Sequence, residues 1–140
     1  MAKWVFKLEN WFNQSQRTMP WRTQCSPYYT WISEIMLQQT QVVTVIPYFE
    51  RFIKLFPNVQ ALARANQDVV LKAWEGLGYY SRARNLHKAA KVICNNYNGI
   101  IPDNYEEIQN IPGIGPYTGA AIVSIAYEIP ISVVDGNVLR

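Results

Sequence analysis

Apolar residues in this chain recur at a helical period almost from end to end, and Pro, Gly and Asn break the pattern at short intervals. Strands need alternation at period two, so this pattern points to short helices packed on one another. Trp4, Val5, Leu8, Trp11 and Phe12 form the stripe of a first helix over 1–16. After a polar, Pro-containing segment, Ser26 reads as an N-cap with Pro27 at the first helical position. Residues 42–56 continue helically, with Pro47 near the start or at a break. Asn58 and Asn66 suit the caps of two short helices, and "GLGY" at 76–79 interrupts before a long helix over 80–96. Asp103 and Glu106 give the D-x-x-E capping box of a short helix ending near Gln109, and an almost uniformly apolar helix is expected over 116–128. Asp135 suits the cap of one more helix, whose first turn barely begins at Arg140, so the chain reads as a fragment.

A chain of 140 residues with 49% apolar content suits one all-α domain with a real core. No apolar run approaches the ~20 residues of a membrane span, and no apolar block marks a secretory signal. A cytoplasmic location, nucleoid-associated in a bacterium, is the default expectation, without membrane or obligate protein partner. Cys25 and Cys94 stand alone, which argues against a disulfide framework or a cysteine-ligated metal. The net charge is +3, yet the window 72–91 alone carries +4, from Lys72, Arg82, Arg84, Lys88 and Lys91 against Glu75. Arg84, Lys88 and Lys91 share a helical face opposite Leu86, Ala89 and Ile93. That face is either a solvated stripe or a surface for a polyanion such as DNA.

Two stretches carry chemistry. In "NIPGIGPYTGAAI" (110–122) a P-G-x-G turn joins two helical segments. Gly113 and Gly115 permit backbone geometries closed to other residues and let a phosphate approach the free N–H groups of the next helix. This is the helix–hairpin–helix pattern, near 105–128, which grips DNA backbone and not sequence; the plain alternative is a tight αα-corner. In "WISEIMLQQTQ" (31–41) a lone acid, Glu34, sits among Trp31, Ile32, Ile35, Met36 and Leu37, with no Lys or Arg between Thr23 and Arg51. Burying its charge is costly. It is either a buried acid bonded to a hydroxyl or a carboxyl kept protonated for use as a general acid.

Six motifs occur in order: "PWR", "SEIMLQQTQV", "VIPYFERF", "WEGLGYYSRARNLHKAA", "IPGIGPYTGAAI" and "VDGNV". Together they resemble the helix–hairpin–helix DNA glycosylase superfamily and, within it, the adenine DNA glycosylases of the MutY family. The resemblance runs over 17–140 and implies a six-helix barrel-type catalytic module, cut before the iron–sulfur segment. It implies a monofunctional enzyme of base excision repair that flips out adenine mispaired with 8-oxoguanine or guanine in double-stranded DNA and hydrolyses its glycosidic bond. Glu34 matches the glutamate that protonates the adenine. Asp135, in the loop 133–137, matches the aspartate that stabilises the oxocarbenium-like sugar, held ionised at a helix N-terminus. Arg17, Trp21 and Arg22 match the adenine pocket, Gln39 the wedge that fills the hole, Leu37 and Thr40 neighbours of the opposite base, and Tyr79 an intercalating aromatic.

Tyr117 stands where glycosylase/lyases carry a Schiff-base lysine, and Leu139 where some relatives carry another lysine, so no covalent imine is implied. By the same analogy the carbonyls of Gln109, Ile111 and Ile114 hold a monovalent or calcium ion, and Gly113, Gly115, Arg84 and Lys88 meet DNA. Full-length relatives carry a [4Fe–4S] cluster on four cysteines, ligands this chain lacks. The family gives His87 no role, so it reads as a structural or phosphate-side residue. Two rival readings remain: thymine excision from T·G mismatches, whose enzymes also carry tyrosine in the hairpin, and a non-catalytic DNA-binding module.

Overall fold

Polar side chains start most of the helices. The computed structural model describes residues 26–130; the stripe at 4–12, Arg17, Trp21, Arg22, Cys25, Asp135 and Leu139 lie outside them. The Ser26 hydroxyl accepts the Tyr29 N–H at 3.0 Å and opens α1 (Pro27–Leu37), with Pro27 in its first turn. α2 (Val42–Leu55) follows a short turn. Asn58 and Asn66 cap α3 (Val59–Arg64) and α4 (Gln67–Trp74), accepting from the N–H groups of Ala61 and Asp68, both at 2.8 Å. After the glycine-rich loop comes α5 (Tyr80–Asn96). These boundaries match the sequence expectations, because each cap removes one orphan donor where the apolar period begins.

Three details differ. Asn104, and not Asp103, caps α6 (Tyr105–Ile108), accepting from Glu107 N at 2.8 Å; either short polar side chain would serve, and the chain direction selects the second. α2 runs unbroken through Pro47. The carbonyl left without its helical donor is that of Val43, whose residue is 73% exposed and open to water. The last apolar stretch is α only as α7 (Pro116–Ala121); it widens to a π-helical turn at Ile122–Ala126, and Ile129 N–H closes on the Val123 carbonyl at 2.9 Å.

The core is aromatic at its centre. α2 turns Val45, Phe49 and Phe52 inward at i, i+4 and i+7. Phe52 meets Phe56 edge-on at 4.8 Å and Trp74 at 6.1 Å. Burying one such ring is worth about 1.5–3 kcal/mol. α5 lays Ala83, Leu86, Ala89, Ala90 and Ile93 against α3 and α4, the alanines allowing close approach. α1 sits between α2 on one side and α7 with the π turn on the other. Its start is tied to the far end of α2 by the Tyr28 hydroxyl, which donates to the Phe56 carbonyl at 2.6 Å. Among the described residues no helix is long and apolar enough to cross a membrane.

Candidate functional site

The end of α1 is where distant parts of the chain meet. Glu34 is half-buried there. Gln38 stands four residues on, so it lies on the same face one turn later. Its amide Nε2 donates to the Thr118 hydroxyl of α7 at 3.2 Å, across 80 positions of sequence. The end of α1, one turn past Glu34, is therefore tied to the start of α7, where Thr118 is buried and its neighbour Tyr117 is 57% exposed.

Past α1 the chain makes an exposed turn in which Gln39 takes a left-handed backbone, φ +62°, and Thr40 N–H returns to the Leu37 carbonyl at 3.3 Å. The loop before α5 does the same at Tyr79, φ +53°, whose ring is 62% exposed. A left-handed conformation costs a residue with a Cβ about 1–2 kcal/mol. Asn98 (φ +57°) and Glu128 (φ +57°) are left-handed too, so the conformation by itself does not mark a working site; Gln39 and Tyr79 are the two of the four that the family resemblance names. Leu37 and Thr40 flank the first turn, half-buried.

The hairpin leans on α5. Gly113 has φ +80°, a conformation that strains residues with a Cβ, and a Cβ there would press on the Asn85 Cβ at 3.2 Å, so both backbone and packing favour glycine. Gly115 needs no special geometry, contrary to expectation: its backbone is extended and a Cβ would point into open space. Gly119 is the second glycine the hairpin needs, since a Cβ would sit 3.0 Å from Ile108 Cγ2. Ile111 and Ile114 are buried, Gln109 is half-buried, and the Ile111 carbonyl already accepts the Ile114 N–H at 3.0 Å. A cleft of about 70 Å³ lies between Trp31, Gln38, Arg82, Asn85 and Gly113. It is too small for a purine. Arg84, Lys88 and Lys91 are all exposed on α5.

A model of the "HhH-GPD superfamily base excision DNA repair protein" family matches residues 32–140. The chain belongs to the HhH-GPD superfamily. It is 50% identical over 132 residues to the adenine DNA glycosylase of Buchnera aphidicola subsp. Baizongia pistaciae, covering 94% of this chain and 38% of that protein. It is 43% identical to the adenine DNA glycosylase of Rattus norvegicus, over 95% of this chain and 28% of the relative. The chain thus spans about two fifths of its bacterial relative and less of the mammalian one. Among solved structures it resembles a thermostable thymine-DNA glycosylase (TM-score 0.78, 28% identity, 91% of this chain and 59% of that one). It also shares its fold with endonuclease III in a trapped covalent DNA complex (TM-score 0.73, 19% identity, 92% and 61% coverage).

Within this HhH-GPD chain, two site residues escape sequence reasoning. Gln38 is one of three similar amides in "QQTQ", and nothing local shows which one reaches α7. Arg82, which the sequence shows only as one of five bases in the window 72–91, turns inward. Its Nη1 donates to the carbonyls of Ile35 (2.9 Å), Met36 (3.3 Å) and Gln38, and Nη2 to those of Leu77 (3.5 Å) and Gly78 (3.3 Å). The guanidinium lies 5.4 Å from the Trp74 ring centroid and 5.5 Å from that of Tyr79. Burial pushes its pKa down and Tyr79 pushes it up; an arginine stays charged through such a change. A sequence signal existed: Arg82 falls four and seven residues before the buried Leu86 and Ala89, within the inward stripe.

His87 is the other inward-facing polar residue of α5, 3% exposed. Burial pushes its pKa below the ordinary value and Lys91 adds to this, while the carbonyls of Ala65 and Ala63 oppose it. It is a structural histidine, and no phosphate can reach it.

Proposed function

We infer that the protein is a monofunctional DNA glycosylase that hydrolyses the glycosidic bond of adenine mispaired with 8-oxoguanine or guanine, after flipping the base out of the duplex. The observation that supports this best is 50% identity to an adenine DNA glycosylase, in a chain whose α1, carrying Glu34, is tied to the hairpin helix α7 through Gln38 and Thr118. Glu34 protonates the departing purine, which makes it a leaving group, and then helps activate water. Asp135 stabilises the positive charge that develops on the sugar, the second carboxylate such a reaction needs. Gln39 fills the space left in the stack and Tyr79 slides beside the opposite base, with Leu37 and Thr40 against it. Arg17, Trp21 and Arg22 line the adenine pocket. Gly113, Gly115, Arg84 and Lys88 contact the DNA backbone, so salt weakens binding.

Tyr117 has no amine to attack the sugar, so no Schiff base forms. The Gln109, Ile111 and Ile114 carbonyls lie in one tight turn, and a monovalent or calcium ion there would stiffen the hairpin without entering the reaction. A [4Fe–4S] cluster does not fit this chain, which has two cysteines where a cluster takes four. Thymine release from T·G is the second reading, supported by the likeness to a thymine-DNA glycosylase.

Single-turnover assays of the full-length protein on A·8-oxoguanine and T·G duplexes separate the two. Adenine release with little borohydride-trapped complex is the expected result. Faster release of thymine, or efficient trapping, contradicts it.

A further inference from the structure

Gln39 and Tyr79, two of the four non-glycine residues with a left-handed backbone among the described residues, sit on different loops, and their relative position is what a duplex would feel. Each follows a peptide whose carbonyl is held by the same side chain. Arg82 Nη1 bonds the Gln38 carbonyl, in the peptide just before Gln39, and Nη2 bonds the Gly78 carbonyl at 3.3 Å, in the peptide just before Tyr79. Trp74 Nε1 adds a second donor to Gly78 O at 3.2 Å, and its ring supports the guanidinium. Of the remaining bonds, one reaches Leu77 and two reach Ile35 and Met36, so Arg82 also satisfies carbonyls in the last turn of α1. That helix has no basic residue in its own last turn. The cation comes instead from 47 positions away and complements the negative end of the helix dipole.

Only a planar fork can do this. A guanidinium presents two terminal nitrogens at a fixed angle, so it bonds both loops at once, whereas an ammonium is a single point of charge on a flexible stem. We propose that Arg82 is a positioning residue that locks the loop of Gln39 to the loop of Tyr79, fixing the separation of the two inserted side chains and with it the preference for a mispair over matched DNA. The second half of this rests on the glycosylase reading above; the lock itself does not. Without the fork, each loop relaxes out of its left-handed residue independently, and a mispair no longer meets both side chains in register. Binding to phosphates, made by other residues, is unaffected.

The test compares the full-length protein with its Arg82→Lys and Arg82→Ala variants, by two readouts. The first is amide hydrogen exchange of the segments 37–41 and 76–80. Both should exchange about tenfold faster in each variant, together, while α2 to α4 stay unchanged. The second is the ratio of affinities for an A·8-oxoguanine duplex and a matched duplex, taken well below the thermal midpoint. It should fall about tenfold in Arg82→Lys, the loss of charge-assisted hydrogen bonds, while matched-duplex affinity changes less than about twofold because phosphate contacts carry it. General destabilisation would lower both affinities alike and leave the ratio unchanged. Lysine keeps the charge and the stem over Trp74, so this variant decides the matter even if the alanine variant fails to fold. Unchanged exchange in the two loops of Arg82→Lys overturns the lock. Faster exchange with an unchanged ratio overturns its link to discrimination. A wild-type protein with no preference for the mispair refutes the glycosylase reading instead, and the exchange result still judges the lock.

Discussion

The stretch 42–75 and the loops at either end of it obey different rules. From Val42 to Glu75 no residue takes a positive φ, two of the three helices begin on a bonded asparagine, and Val45, Phe49, Phe52, Leu62, Val70 and Trp74 are buried. At its borders Gln39 and Tyr79 are left-handed and exposed, beside Gly76 and Gly78. The middle is a frame in which local preference and packing agree. The borders go against local preference and are held by one arginine and its surroundings. The difference teaches where stability and where work reside: substitutions in the frame should cost stability, and those at the borders should cost recognition.

The largest effect expected in the frame is Phe52→Ala. It removes a ring with no exposure, set edge-on against Phe56 and Trp74, and should destabilise by about 3–5 kcal/mol. Denaturant titration checks this, and a loss under ~1 kcal/mol would mean the frame is not the source of stability. Tyr28→Phe comes next. It strips the Phe56 carbonyl of its 2.6 Å donor and should cost about 1–3 kcal/mol with DNA affinity unchanged.

Gln39→Gly sharpens the contrast because its two effects have opposite signs. Relief of the left-handed strain should raise stability by up to ~1 kcal/mol, while mispair binding weakens. A border that lost stability with this change would be ordinary frame.

The smallest effect concerns acid. His87 is the chain's single histidine, and its folded-state pKa lies below the ordinary value. Below about pH 6.5 the unfolded chain gains a proton that the folded one refuses, so stability falls as pH drops toward the folded-state pKa. Above that window the contribution is fully present. Melting curves of wild type and His87→Gln between about pH 5 and 7 should converge as the pH falls.

How legible this was follows the same division. The frame could be read because caps and apolar periods are local: Ser26, Asn58 and Asn66 bond donors two or three residues away. The outward Arg84, Lys88 and Lys91 were likewise plain from helical spacing. The borders could not be built that way. Charge counting does not show that Arg82 turns inward, because a cation is expensive to bury and only the carbonyls at the end of α1 and in two loops offset that cost. Gln38 finds Thr118 only after the fold is complete. Gly115 misled because a G-x-G pattern does not say which glycine needs the positive φ. Resemblance alone proposes roles for Gln39 and Tyr79, and their left-handed backbone, shared with Asn98 and Glu128, could not be read from local sequence.

Glu34→Gln in the full-length protein tests most directly whether Glu34 of α1 is the general acid of a base-excising enzyme. Glutamine keeps the shape and cannot donate the proton. Single-turnover adenine release from an A·8-oxoguanine duplex should fall by about 10²–10⁴-fold, with binding of that duplex within about tenfold of wild type. Adenine release near the wild-type rate would contradict the account.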